Sequence, residues 1–207
     1  MVREFAFGLA NRHHFMDSAD ISKWMNIAKD TFHSLWEYDE DVKKYVKRKN
    51  SLSGFGGKIY MPDEYLLDID GNNPEKARQK TIALTQLLED VGVDAWNIYF
   101  SGTGFHLGIS SKNFIWEPCE NLHLKVKDEL TDKGVFELAD PSVTDKTRII
   151  RCLNTRNNKS GLWKVQLKEH QLHGKIENIL EYAKTSQEHQ NNLEDYETMN
   201  PPFDVTK

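Results

Sequence analysis

Two aspartates, Asp68 and Asp70, stand where an apolar run at residues 65–67 gives way to the turn residues 71–74. An apolar run that ends in Gly, Asn and Pro predicts a short buried strand. Alternate side chains of a strand share a face, so the two carboxylates should lie about 6.6 Å apart at ~3.3 Å per residue. Their repulsion favours a hard divalent cation, Mg²⁺ or Mn²⁺, which accepts carboxylate oxygens. Alone, such a pair is more typical of two solvated acids at a strand end.

A Gly-containing loop follows the next predicted strand, residues 95–100. In this loop Gly102 and Gly104 leave backbone N–H groups accessible, and such loops form concavities that bind anions. Ser101 adds a hydroxyl donor, and His106 adds a ring N–H that can reach a phosphate oxygen. The same residues also suit a plain hairpin turn with a packed histidine. The loop is therefore a candidate phosphate site whose alternative is a structural turn.

A third group of charged residues follows the apolar stretch 136–139. Asp140 is available there as a third metal ligand, and Arg148 and Arg151 come shortly after it. Side chains three apart face opposite ways on an ideal strand, so a bend is needed to bring both arginines to one ligand. Residues 140–168 hold seven Lys or Arg against two Asp, whereas the whole chain carries −5. This local charge predicts a surface for polyphosphate or nucleic acid, unless it forms a solvated, salt-bridged face.

In combination and in this order, the three motifs resemble those of the archaeo-eukaryotic primase superfamily. The D-x-D pair of that superfamily corresponds to Asp68 and Asp70, its small-x-His motif to Gly104-Phe105-His106, and its apolar-Asp motif to Leu138-Ala139-Asp140. The likeness covers residues 58–168. The loop before the histidine is one residue shorter than in the small primase subunit and lacks its usual arginines.

The resemblance implies an α/β (α+β) catalytic fold in which helices flank a central mixed or antiparallel sheet. It also implies template-directed nucleotidyl transfer that makes or extends primers on single-stranded DNA from NTP or dNTP. Asp68, Asp70 and Asp140 would hold two divalent ions, Mg²⁺ or Mn²⁺, one activating the attacking 3′-hydroxyl and one neutralising the triphosphate. The residues expected to contact the nucleotide or template are Ser101, Gly102, Gly104, His106, Arg148, Arg151, Lys159 and Lys164.

Two alternatives stay open. A repair or end-joining polymerase of the same superfamily extends primers but does not start them, and no feature of the sequence separates it from a primase. A catalytically silent module that binds single-stranded DNA would keep the fold, although the retention of all three acids argues against it. The resemblance also implies a helicase or other replication proteins as partners.

Composition is that of a globular protein with room for one domain. The 207 residues are 38% hydrophobic and 29% charged. No apolar run reaches ~18 residues and no cleavable signal is present, so we expect no membrane contact and a cytoplasmic protein, or one in a nucleoid or viral replication complex. The two cysteines, Cys119 and Cys152, suggest a reducing compartment. They rule out a four-cysteine zinc ribbon, and no ligand pair completes a site with Cys119 and His123, so no structural zinc is expected.

Hydrophobic spacing and turn residues divide the chain into helices and strands. Helices are predicted over residues 18–30, 39–49, 74–91, 118–130 and 176–183, and strands over 31–36, 58–61, 65–70, 95–100 and 162–167. The basic residues at the end of the 39–49 helix interact favourably with the helix dipole, which explains their presence without a contact to DNA. We expect one catalytic domain over residues 1–185, with 1–57 as a partly helical lobe. The polar residues 186–207 are expected to be a tail or a linker to a further domain.

Overall fold

The computed structural model describes residues 1–17, 30–93 and 96–187 of the chain. The strands in this part are β1 (Val2–Phe7), β2 (His14–Asp17), β3 (Thr31–Ser34), β4 (Glu37–Tyr38), β5 (Ile59–Tyr60), β6 (Glu64–Ile69), β7 (Trp96–Phe100), β8 (Phe105–Ser110), β9 (Ile149–Arg151) and β10 (Val165–Leu167). The α-helices are α1 (Asp41–Lys49), α2 (Pro74–Asp90), α3 (Leu122–Asp132), α4 (Glu169–Leu172) and α5 (Ile176–Tyr182).

Six strands form the first antiparallel sheet, in the order β5-β4-β1-β3-β9, with β2 also paired to β1. Phe5 and Ala6 of β1 are fully buried and anchor this sheet in the core. The register of β3 against β9 places Phe32 opposite Arg151. Segments more than 100 residues apart in the chain are therefore paired in one sheet.

Four strands form the second antiparallel sheet, in the order β10-β7-β8-β6. One face is apolar, since Leu67 and Ile69 of β6 and Leu107 of β8 are fully buried. Asp68 lies on the opposite face, where its cross-strand partner is His106. The period-two alternation of strand side chains thus separates a core face from a polar face.

Helix α2 contacts β6 and β8 and helps to bury the core of the second sheet. It begins with a proline, which lacks an N–H that the first turn would leave unbonded, and Asn73 caps it by accepting from the N–H of Lys76 at 2.9 Å. Its buried residues include Ala77, Leu84 and Leu88. These three side chains recur at helical spacing, so they form an apolar stripe that faces the core.

The predicted α+β fold class is confirmed, and both sheets are antiparallel. The strands form two separate sheets, since β3 pairs with β9 in the first sheet and β6 pairs with β8 in the second. The helix predicted over 118–130 begins only at Leu122, since Cys119 instead forms an isolated bridge with Ile59. None of the helices in the described part of the chain is long and apolar enough to cross a bilayer.

Two predictions from the sequence remain open. The helix predicted over 18–30 cannot be compared with the structure, because all of these residues except Asp30 lie outside the described residues. Residues 188–207 of the predicted tail also lie outside them, so the boundary at residue 185 stays a prediction. Within the described part, Gln187 still contacts the domain, because its side chain accepts from the N–H of Gln166 at 2.9 Å.

Candidate active site

A cleft of about 550 Å³ is lined by residues of both sheets. Phe32 of β3 and residues 149–151 of β9 come from the first sheet, and Asp68 of β6 and His106 of β8 come from the second. Six residues that the sequence predicts for the site lie in the wall, namely Asp68, Asp70, Ser101, His106, Arg148 and Arg151. The fold therefore brings residues of all three motifs to one cleft.

Arg148 joins two of the acids. Its Nη2 donates to Asp68 Oδ2 at 3.1 Å and to Asp140 Oδ2 at 3.2 Å. Asp140 is held beside β6 because its backbone N–H donates to the carbonyl of Asp68 at 2.8 Å. The chain then turns back, with the N–H of Arg148 donating to the carbonyl of Asp145 at 2.9 Å. Two carboxylates from separate segments thus converge on one guanidinium nitrogen.

A second set of bonds fixes the carboxylate of Asp140. It caps the 3₁₀-helix Pro141–Thr144, accepting from the N–H of Ser142 at 2.9 Å and from its hydroxyl at 2.6 Å. Burial is the largest influence and raises the pKa of Asp140, but the bonds from Ser142 and the charge of Arg148 outweigh it and hold the pKa below its usual value. Asp140 is therefore ionised at neutral pH.

Asp68 is the acid most affected by its surroundings. Burial raises its pKa to about 6, the charges of Asp70 and Asp140 act in the same direction, and Arg148 opposes them. Asp70, just beyond the end of β6, is exposed. The repulsion that the sequence predicts between neighbouring acids is therefore felt at Asp68, the most buried of the three.

His106 is nearly fully buried, with 4% of its surface exposed, yet it lines the cleft. Its Nε2 lies 3.6 Å from Asp68 Oδ1, and its Nδ1 finds no hydrogen-bond partner among the described residues. Burial, together with the charges of Lys164 and Arg151, lowers its pKa well below the usual value. His106 is therefore a neutral imidazole with one unsatisfied ring nitrogen.

The loop between β7 and β8 is a tight turn. The N–H of Ser101 donates to the carbonyl of Gly104 at 2.9 Å, and the N–H of Gly104 donates to the Ser101 hydroxyl oxygen at 3.1 Å. At Gly104 a Cβ would stand 2.6 Å from the carbonyl oxygen of Ile69, and at Gly102 it would stand 2.7 Å from Asn157. Close backbone packing therefore requires both glycines, and the Gly104 N–H is already used within the turn.

Arg151 and Lys164 are held by neighbours. Arg151 forms an ion pair with Asp30, and its guanidinium carbon lies 4.8 Å from the ring centroid of Phe32. The Nζ of Lys164 donates to the carbonyl of Arg151 at 2.8 Å and lies over the ring of Tyr99. Burial lowers the pKa of Lys164 to about 8. Arg151 reaches the cleft wall, whereas Lys164 lies behind it in the interior.

Lys159 lies on an exposed loop after Asn157, and its backbone N–H donates to the Asn157 side chain at 2.9 Å. The same asparagine contacts the carbonyl of Ser101 at 3.4 Å, which places the Lys159 loop beside the β7–β8 turn. Asn157 itself lines the cleft and was not predicted from the sequence. A lone asparagine in a polar loop carries no signal that would have identified it.

Arg12 is a further cleft residue that was not predicted from the sequence. It forms two bonds to the fully buried Glu4, of 3.0 and 2.7 Å, and its Nη2 also donates to the carbonyl of Thr147 at 2.8 Å. A bidentate ion pair of this kind offsets the free-energy cost of burying a carboxylate. An acid among the apolar residues of β1 was the available signal that a cation lay opposite.

A divalent ion fits the chemistry of Asp68 and Asp140, because their oxygens approach one point and are the ligands that Mg²⁺ and Mn²⁺ prefer. Arg148 already stands at that point. In the described ranges, no group of three or more His, Cys, Asp or Glu side chains is arranged to hold a metal. The charge and the oxygen ligands of the two carboxylates therefore suit a divalent cation, once Arg148 has moved away from that point.

Comparisons with known proteins show a likeness to a solved structure but not to a family or a curated protein. No family model matches the chain, and no curated protein matches it. Among solved structures, the chain is similar to the polymerase domain of Ligase D from Mycobacterium tuberculosis, determined in complex with DNA, with 12% sequence identity and a TM-score of 0.41. The likeness covers 70% of this chain and 53% of that one, so this chain spans about half the length of the solved chain.

Proposed function

We propose that this chain is a metal-dependent nucleotidyltransferase that makes or extends primers on single-stranded DNA. The observation that carries the proposal is the meeting of three distant motifs at one cleft: Asp68 and Asp140 share Arg148, and Ser101 and His106 lie in the same wall. A polymerase needs carboxylates, neutral donors and cations together, because it must hold a triphosphate against a 3′-hydroxyl.

In this proposal Asp68, Asp70 and Asp140 hold Mg²⁺ or Mn²⁺. Held there, a divalent ion would supply activation of the attacking 3′-hydroxyl and neutralisation of the triphosphate and the departing pyrophosphate. The chain itself grips and orients the nucleotide. The Ser101 hydroxyl and the His106 ring donate neutral hydrogen bonds to phosphate oxygens. Because neither group is charged, they add directionality without further positive charge.

The arginines play unequal parts. Arg148 has only weakly engaged donors and supplies charge-assisted bonds to phosphate. Arg151 is tied to Asp30, so it contributes its field and the shape of the wall beside Phe32. Lys159, exposed on its loop, is a contact for phosphate or template outside the cleft. Lys164, buried behind the wall, supports Arg151 from beneath.

A second candidate function is a silent module that binds single-stranded DNA. One observation favours it: Arg148 bonds to Asp68 and Asp140 together, so a cation already stands between the two carboxylates where a metal would bind. A repair-type polymerase, which only extends primers, would use the same cleft as a primase. Chemical turnover separates the module from both enzymes, and the need for a primer separates the two enzymes from each other.

The test is incubation with single-stranded DNA, labelled NTP or dNTP, and Mn²⁺ or Mg²⁺, with and without an annealed primer. New oligomers on unprimed DNA identify a primase, and extension of primers alone identifies a repair-type polymerase. Asp70→Asn should abolish either product. The matched control is Asp63→Asn, which removes an exposed acid just before β6 and away from the cleft wall. DNA binding without any product would refute the enzymatic proposal and support the silent module.

A further inference from the structure

Arg148 contacts the acids in an unusual way. Arginine commonly binds a carboxylate through two nitrogens at once, which gives the pair its strength. Here one nitrogen, Nη2, serves both Asp68 and Asp140, at 3.1 and 3.2 Å. The Nε of Arg148 is buried and finds no hydrogen-bond partner in the described part of the chain. The guanidinium therefore satisfies the acids incompletely and leaves a donor of its own unused.

The position of Arg148 is also the position that a metal would take. Asp68 Oδ2 and Asp140 Oδ2 both lie within 3.2 Å of Nη2, and the same lone pairs cannot serve a guanidinium and a divalent ion together. A divalent ion carries twice the charge and interacts more strongly with a carboxylate pair. The two cations must therefore compete for Asp68 and Asp140.

We infer that Arg148 is a resident counter-ion that a divalent cation displaces from Asp68 and Asp140, and that the freed guanidinium then binds the phosphates of the nucleotide. This inference rests on the proposed function and adds an order of events to it. In the metal-free protein the charge of Arg148 offsets part of the repulsion between the two carboxylates. Arg148 lines the same cleft as Ser101 and His106, so the freed guanidinium needs to move only within that cleft to meet the phosphates.

The exchange has a consequence that a fixed phosphate-binding arginine would not have. Removal of the positive charge of Arg148 should strengthen metal binding and weaken nucleotide binding. If Arg148 were purely structural, its removal would instead weaken both metal binding and nucleotide binding. The two opposite signs therefore distinguish an exchangeable cation from a structural one.

The experiment measures Mn²⁺ binding without nucleotide, from the electron paramagnetic resonance signal of free Mn²⁺, in the wild type and in three variants. Arg148→Gln removes the charge and should tighten Mn²⁺ binding by about tenfold or more, the equivalent of one charge-assisted hydrogen bond. Arg148→Lys keeps a cation and should stay within about threefold of the wild type on the same scale. Arg151→Gln is the matched control, because it removes an equal charge from the same wall without touching Asp68 or Asp140.

A second measurement follows dATP binding at saturating Mn²⁺ in the absence of DNA. Arg148→Gln should bind dATP at least about tenfold more weakly than the wild type. The inference is overturned if Arg148→Gln binds Mn²⁺ no more tightly than Arg151→Gln, if no variant binds Mn²⁺, or if dATP affinity is unchanged. Far-ultraviolet circular dichroism confirms that each variant is folded, and Arg148→Ala, which also removes the charge, replaces the glutamine variant under the same criteria if the latter is not.

The outcomes also separate this inference from the proposed function. Incorporation by the wild type without tighter Mn²⁺ binding in Arg148→Gln would remove the exchange and leave the polymerase. Tighter Mn²⁺ binding in a protein that incorporates no nucleotide would retain the exchange of cations at Asp68 and Asp140 and remove the polymerase.

Discussion

His106 stands directly opposite Asp68 in the register of β8 against β6, with its Nε2 3.6 Å from Asp68 Oδ1. The contact is not an ion pair at neutral pH, because burial and the nearby charges of Lys164 and Arg151 lower the pKa of His106 well below its usual value. A neutral ring carries a single N–H. His106 can therefore act as a directional donor beside the acid rather than as a counter-ion for it.

His106→Ala tests this role. If the ring donates to the triphosphate, the variant should lose about 1.5–3 kcal/mol of binding to a charged group, or roughly tenfold to 150-fold in KM for nucleotide, in kcat, or in both. Steady-state incorporation against nucleotide concentration measures the loss. Unchanged nucleotide kinetics, with only a small change in stability, would make the β7–β8 loop a structural turn.

A double variant shows whether the two motifs hold the same group. Arg148→Ala should impair nucleotide use in the same direction as His106→Ala. If both side chains bind the same phosphates, the double variant should lose less than the sum of the single losses. Additive losses would place the two side chains on different parts of the substrate.

The three acids should be essential for incorporation but not for folding. Asp68→Asn, Asp70→Asn and Asp140→Asn remove charge while they keep the shape of the side chain. Ala is a poorer test at residue 140, because loss of a helix cap itself costs about 0.5–2 kcal/mol. The measurements are nucleotide incorporation and urea unfolding for each variant. Activity close to the wild type in Asp70→Asn would refute the metal assignment.

The pH dependence of stability tests the environment of Asp68. Its folded pKa of about 6 lies above its usual value, so between pH ~4 and ~6 the folded protein holds a proton that the unfolded chain has lost. The contribution of Asp68 to the free energy of unfolding therefore falls as pH rises through this window. Asp68→Asn should gain about 1–3 kcal/mol relative to the wild type between pH 4 and pH 7. Urea unfolding of both proteins at the two pH values measures the gain, and an equal pH dependence in both would contradict the raised pKa.

Much of the fold could be predicted from the sequence where local pattern decides structure. Helix α2 follows from its proline, its cap and its apolar stripe, and β6 follows from the run that ends at Asp68. The pairing of β3 with β9 was not predictable, because these segments are more than 100 residues apart and carry no local signal of their partner. That pairing creates the cleft.

The identities of the site residues could be predicted from the sequence, but their contacts and their burial could not. Asp68 and Asp140 could be named from their motifs, yet their shared bond to Arg148 depends on the turn at 145–148, which only the folded chain shows. Lys164 belongs to a basic stretch that suggests an exposed surface. In the structure it is buried, because its Nζ finds the carbonyl of Arg151 and the ring of Tyr99.

Gly104 is predicted to be irreplaceable for steric reasons. Its φ is not in the left-handed region, but a Cβ would stand 2.6 Å from the carbonyl oxygen of Ile69 and 3.0 Å from Asp70 Oδ1. Gly104→Ala should therefore force the strand ends apart and destabilise the protein by about 1–3 kcal/mol. Gly56→Ala is the comparison, since that glycine has no left-handed φ and the nearest atom to its Cβ would be a Glu120 carboxylate oxygen at 3.6 Å, an ordinary contact. Urea unfolding that ranks Gly104→Ala no lower than the wild type would contradict the predicted contact.

The salt dependence of DNA binding tests how much of the basic region is available. Seven basic residues lie within 140–168, which at about −0.7 per phosphate neutralised would give a slope near −5 for log K against log salt on a single strand. The structure leaves three of the seven exposed, namely Arg156, Lys159 and Lys168. A slope of about −2 is therefore expected on the same scale.

Two lysines of this region provide a matched pair for the measurement. Lys159→Gln removes an exposed charge and should reduce the slope by about 0.7. Lys164→Met removes a buried charge and should leave the slope unchanged, because an interior ammonium contacts no phosphate and releases no counterion from DNA. Fluorescence titrations of a labelled oligonucleotide at several salt concentrations give all three slopes. Equal reductions in the two variants would show that Lys164 reaches the DNA, and that the wall in front of it opens when DNA binds.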